Sequence, residues 1–176
     1  WQDQGLAKVP VAVNLSALEF RQRDVAAEIA AVLQETGLAP QYLEIELTES
    51  VLMHQTGQTL NTLHAVKALG VGISIDDFGT GYSSLAYLKR YPIDKLKIDR
   101  SFVTDTPGSA DDVAIVTAII QMARSLQLKT VAEGVETQGQ IALLKELGCD
   151  VIQGFVVSVP MDETIAREWL ESNGSG

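Results

Sequence analysis

The chain has 176 residues, 46% of them hydrophobic, and a formal net charge of −10. That apolar content excludes a disordered chain, and the acidic balance excludes general binding to nucleic-acid polymers, whose phosphates it repels. The lone cysteine, Cys149, excludes an intrachain disulfide and points to a reducing, cytoplasmic compartment, and no apolar run reaches the roughly 18 residues of a membrane span.

Short apolar runs alternate with amphipathic stretches along the sequence. Strands are expected at 11–15, 43–47, 72–76, 95–98, 130–133 and 151–154. Between and after them, helices are expected at 21–36, stopped by Gly37, then at 59–69, 83–91, 111–126, 137–147 and 162–171. Six such strand–helix units predict a parallel sheet covered by helices. The strands decide between an open doubly wound sheet and a barrel. Leu43, Ile45 and Leu47 share one face while Glu44 and Glu46 share the other, and Leu96 and Ile98 oppose Lys95, Lys97 and Asp99. Strands of a doubly wound sheet are apolar on both faces; these have one face for helices and one for a polar lumen. The expectation is a (β/α)8 barrel, here incomplete with about six βα units and its first strands missing, because eight units need about 250 residues. The barrel is expected over 1–171, with 172–176 a flexible tail.

The strand ends carry Asn14, Glu46, Asp76 with Asp77, Lys97 with Asp99, Glu133 and Gln153. A barrel builds its active site at that mouth from several strands. One strand-end carboxylate often only caps the next helix, but six polar ends in register are costly unless something compensates them. The donors are oxygens, which suit Mg²⁺ or Mn²⁺, and the number of carboxylates suits two ions. Lys97 either steadies developing negative charge or pairs with a neighbouring carboxylate. The histidines His54 and His64 read as surface residues. After Asp76 and Asp77, the segment Phe78, Gly79, Thr80, Gly81 leads to Ser83 and Ser84, which would cap the next helix; it reads as a lid or switch rather than a Walker loop.

These pieces together resemble the EAL family of cyclic-di-GMP phosphodiesterases. The matching segments are Val13-Asn14-Leu15-Ser16, Glu46-Leu47-Thr48-Glu49-Ser50, Asp76 through Leu85, Leu96-Lys97-Ile98-Asp99, Ala132-Glu133-Gly134-Val135-Glu136-Thr137 and Gln153-Gly154-Phe155, in family order over nearly the whole chain. The resemblance implies a modified (β/α)8 barrel that hydrolyses cyclic-di-GMP to linear pGpG with Mg²⁺ or Mn²⁺ in bacterial signalling. It implies that Asn14, Glu46, Asp76 and Glu133 are metal ligands and that Asp77 contacts the other metal. Lys97 then orients the attacking water, Gln153 helps to position it, and Glu136 is a further active-site carboxylate. Glu49 anchors the loop from Asp77 to Ser84, a region the family also uses for dimer contacts. A homodimer or higher self-association is therefore expected. The parent protein is expected to carry a diguanylate cyclase or sensor domain, with a membrane anchor as one arrangement.

The Glu-Ala-Leu signature is not in this sequence, and Val157 and Val159 stand where the family often has an aromatic and a basic residue. The isolated fragment is accordingly expected to be inactive and to self-associate through open edges. Two alternatives stand beside the phosphodiesterase: a non-catalytic cyclic-di-GMP-binding or regulatory domain, and, from the residues alone, a Schiff-base aldolase using Lys97. The density of carboxylates disfavours the aldolase.

Overall fold

The computed structural model describes residues 1–53, 57–81 and 88–173. Six strands form one parallel sheet: β1 (Val11–Leu15), β2 (Leu43–Thr48), β3 (Gly72–Phe78), β4 (Lys95–Ile98), β5 (Lys129–Ala132) and β6 (Val151–Ile152). Their spatial order equals their sequence order. A doubly wound sheet reverses direction at a switch point; this one winds one way, as a barrel wall does. Among the described residues β1 pairs only with β2, and β6 only with β5, so the wall is open. At its two edges Val11 and Val13 of β1 and Val151 of β6 are exposed.

The helices are α1 (Ala17–Gln22), α2 (Val25–Thr36), α3 (Glu49–Met53), α4 (Gly57–Ala68), α5 (Arg100–Val103), α6 (Ala110–Ser125), α7 (Gln138–Leu147) and α8 (Glu163–Asn173). The single helix expected over 21–36 is two. Ser16 and Glu19 close a capping box that starts α1, and the Asp24 carboxylate accepts from the Ala27 N–H to start α2. The short α3 and α5 were not expected, because four or five residues are too few for a helical period to show. α8 continues through Asn173, two residues into the expected tail. The expected helix at 83–91, its Ser83 or Ser84 cap, and His54 lie largely outside the described residues; His64 is exposed on α4.

The strands' apolar face forms the core. Leu47, Ile73, Ile75, Leu96 and Ile98 are buried beneath Leu63 and Val66 of α4, Val116 and Ile120 of α6 and Leu144 of α7. Each such side chain contributes about 1.5–3 kcal/mol of burial. Below the sheet, Asp94 accepts from the Ile73 N–H and from Lys67, and Asp150 accepts from the Thr130 N–H and hydroxyl. These two carboxylates satisfy backbone donors near strand starts that have no helix to receive them.

The lumen face is polar, and its buried glutamates are paired with lysines. Asn14, Glu46, Ser74, Lys95 and Lys129 lie in one register row across β1 to β5. Glu44 and Lys95 form an ion pair, and Glu46 is drawn upward to Lys97.

Candidate active site

The mouth of the wall is organised around the Lys97 ammonium, whose side chain is only 5% exposed. It lies 2.9 Å from Glu46 Oε2, 3.1 Å from Asp76 Oδ1 and 2.8 Å from Glu133 Oε1. Thus β4 supplies the cation, and β2, β3 and the end of β5 supply one carboxylate each. Burial by itself lowers a lysine's pKa; the hydrogen bonds from Lys97 to Glu133 and Glu46 overcome this and hold it above the ordinary lysine value. Burial has the larger effect at Glu133, whose carboxyl is pushed up despite its bond to Lys97.

Asp76 and Asp77 should point to opposite faces if the strand alternated regularly. The register between β3 and β4 shifts between Ile75 and Phe78, so both aspartates stand against the single Lys97. Asp77 takes the left-handed conformation, with φ of 53°. This bulge sends both carboxylates to one site. Carboxylate oxygens of Asp76, Asp77 and Glu133 lie within 4.8 Å of one another. Partial burial, then the neighbouring Asp76 and a hydrogen bond to Asp99, raise the Asp77 pKa. Asp99 caps α5 and stays below its ordinary value, because hydrogen bonds from Ser101 outweigh its partial burial. Crowded carboxylate oxygens, whose charge helps to raise the pKa of Asp77 and of Glu133, are the donor set a hard divalent cation relieves. The site therefore fits a hard divalent cation.

Asn14 is exposed on β1, in register with Glu46. The Gln153 backbone donates to Ala132 O and accepts from the Val135 N–H, while Val156 N–H donates to Val135 O. That clasp holds the chain after β6 against the loop after β5. Glu136 is exposed, and its N–H donates to Gln140 Oε1. Glu49, at the start of α3, is buried, and its Oε2 accepts from the N–H groups of Gly79 (3.1 Å) and Gly81 (3.3 Å). Phe78 is buried behind this loop, and the Thr80 hydroxyl donates to Asp77 O. Glu49→Ala should free both amides at a local cost of about 1–3 kcal/mol. Hydrogen exchange at Gly79 and Gly81 should then accelerate at least tenfold; unchanged protection there would refute the anchoring.

A cavity of about 390 Å³ opens beside the cluster, lined by Asp77, Asp99, Arg100, Glu133, Gln153 and Phe155 among others. Arg100 and the Asp77–Asp99 contact are site features that motif spacing alone did not bring out; the only sequence signal was the place of Arg100 directly after the Leu96–Asp99 segment.

A model of the EAL domain family matches residues 1–160. The chain belongs to the EAL family. Of the family's curated members, the cyclic di-GMP phosphodiesterase NbdA of Pseudomonas aeruginosa is 47% identical over 168 residues, which are 96% of this chain and 22% of NbdA. The bifunctional diguanylate cyclase/cyclic di-GMP phosphodiesterase MucR of the same organism is 49% identical over 161 residues, 92% of this chain and 24% of MucR. This EAL chain thus spans about a quarter or less of the length of these relatives. The solved MucR phosphodiesterase in complex with c-di-GMP superposes with a TM-score of 0.89 at 48% identity, covering 94% of this chain and 67% of that one. BlrP1 of Klebsiella pneumoniae, solved with manganese and c-di-GMP, gives a TM-score of 0.78 at 34% identity over 85% of this chain and 38% of that one.

Proposed function

We propose that this EAL chain is the catalytic portion of a phosphodiesterase that hydrolyses cyclic-di-GMP to linear pGpG with two Mg²⁺ or Mn²⁺ ions. The observation that carries this reading is the convergence of Glu46, Asp76 and Glu133 on Lys97, with Asp77 turned into the same site by the bulge. The relatives' activities and the metal and nucleotide in the BlrP1 complex support it.

In this reading Asn14, Glu46, Asp76 and Glu133 hold one ion and Asp77 helps to hold the other. The bound ions would polarise the phosphoryl oxygens and supply hydroxide near neutral pH. In the reaction a water oxygen bonds to phosphorus and the P–O3′ bond breaks, leaving a 5′-phosphate and a 3′-hydroxyl. Lys97 is held protonated by its carboxylates, so it does not remove the water's proton; it would orient the water with the donors freed when the ions take up Glu46, Asp76 and Glu133. Gln153 and Glu136 border the same cavity and position water and substrate. Glu49 keeps the Gly79–Gly81 backbone ordered beside Asp77.

The test is conversion of cyclic-di-GMP to pGpG by the full-length protein, followed by chromatography with Mg²⁺, with Mn²⁺ and with EDTA. Turnover should vanish in EDTA. Asp76→Asn should reduce it at least about a thousandfold, because one hard ligand beside the reacting phosphate is lost. Near wild-type turnover of that variant at saturating Mg²⁺ would defeat the assignment, and binding of cyclic-di-GMP without turnover would make the protein a receptor instead. The exposed valines on both sheet edges support self-association as a further part of this proposal, and MucR's bifunctional character supports a cyclase domain in the parent. A cytoplasmic position for this domain follows from the same reading, since cyclic-di-GMP is an intracellular messenger.

A further inference from the structure

Arg100 is an exposed cation on the cavity wall that no described carboxylate claims. Its guanidinium makes no ion pair or hydrogen bond with another described residue, although its charge is felt at Asp99 and the cavity also presents Asp77, Glu133 and Glu136. Lys97, the nearby buried cation, is fully engaged by three carboxylates. A cyclic dinucleotide brings two phosphodiesters into this acidic surrounding. The one to be cleaved meets the metal-binding carboxylates. The other needs a positive partner, and Arg100 is the only cationic residue lining the cavity among those described.

We propose that Arg100 binds the phosphodiester of cyclic-di-GMP that is not being cleaved. This rests on the phosphodiesterase reading and adds a substrate-positioning residue to it. A guanidinium presents its donors in a planar fork that matches two phosphate oxygens. Its stem is pinned as well. Asp99 fixes the first turn of α5, and Gly134, with φ of 67°, lets the loop after β5 close over the Arg100 side chain. A Cβ on Gly134 would lie 2.6 Å from Arg100 Cβ. The base of the side chain is therefore fixed at the cavity wall, which leaves the guanidinium within the cavity and free to take a ligand.

The experiment uses the full-length protein and its Arg100→Ala and Arg100→Lys variants. Cyclic-di-GMP binding is measured by calorimetry in Ca²⁺, and kinetics are measured in Mg²⁺ on cyclic-di-GMP and on bis(p-nitrophenyl) phosphate, which has a single phosphodiester. Arg100→Ala should weaken cyclic-di-GMP binding about 10- to 100-fold, the usual range for a lost charge-assisted hydrogen bond, and should raise KM more than it lowers kcat. The loss in kcat/KM should be at least tenfold larger for cyclic-di-GMP than for the single phosphodiester, and Arg100→Lys should recover part of it. Equal losses on both substrates, or unchanged cyclic-di-GMP affinity in Arg100→Ala while the wild type binds, would overturn the Arg100 assignment alone. A wild-type protein that neither binds nor hydrolyses cyclic-di-GMP would overturn the phosphodiesterase reading together with it.

Discussion

Replacing Lys97 by methionine should lower the stability of the metal-free protein by about 3–5 kcal/mol, the usual cost of removing one partner from a buried charge cluster, and should abolish hydrolysis. The ammonium is almost wholly buried and touches three carboxylates. Methionine fills its volume, so the loss reports charge rather than a cavity. Three carboxylates left on neighbouring strands must then repel or take up protons. Glu133 has a raised pKa even with Lys97 present, so more proton uptake is expected without it. A raised native pKa gives stability that is present at low pH and lost as pH rises through the native value. The destabilisation should therefore be larger at pH 8 than at pH 5. Urea unfolding in EDTA measures it, and added Mg²⁺ should restore part of it, since the carboxylates would then have a cation again. A midpoint at pH 8 unchanged from wild type would show that the cluster carries no such load.

The second large effect is expected at Gly154. A Cβ built there lies 2.2 Å from Val135 O and 2.3 Å from Val135 N. Both are backbone atoms, already committed to bonds with Val156 N–H and Gln153 O. No side chain can rotate away to make room, so the clasp between the β6 end and the β5 loop has to open. Gly154→Ala should cost about 3 kcal/mol or more, at the upper end of overpacking effects. It should also displace Gln153 and Glu136 from the cavity. Thermal unfolding of the variant within about 2 °C of wild type would contradict this, since 3 kcal/mol shifts a domain of this size by several degrees or more.

Much of this was legible because the barrel has a simple alternation. Leu43, Ile45 and Leu47 against Glu44 and Glu46 already separate a helix-covered face from a lumen, and the one-way strand order agrees. The strand ends also named most of the site. What periodicity could not give is how Asp76 and Asp77, adjacent in sequence, reach one site: that depends on a bulge defined by pairing with a strand about twenty residues later. Lys97 was readable as a site residue, but its threefold engagement depends on carboxylates from three other units. The division between α1 and α2 was written in Asp24, whose capping role competes with the apolar spacing on either side. Arg100 was hidden because its positioning depends on Gly134, a contact between separate strand–loop units.

The one-way winding of the sheet also orders the site in time. A chain emerging from the ribosome presents β2 and β3 before β4 and β5. The carboxylates of Glu46 and Asp76 are made before their shared cation, Lys97, and Glu133 is made last of the four. The cluster formed by the Asp76, Asp77 and Glu133 carboxylates is thus complete only late in biosynthesis. The carboxylates of Glu46 and Asp76 stay without their buried counter-charge until the fourth strand docks.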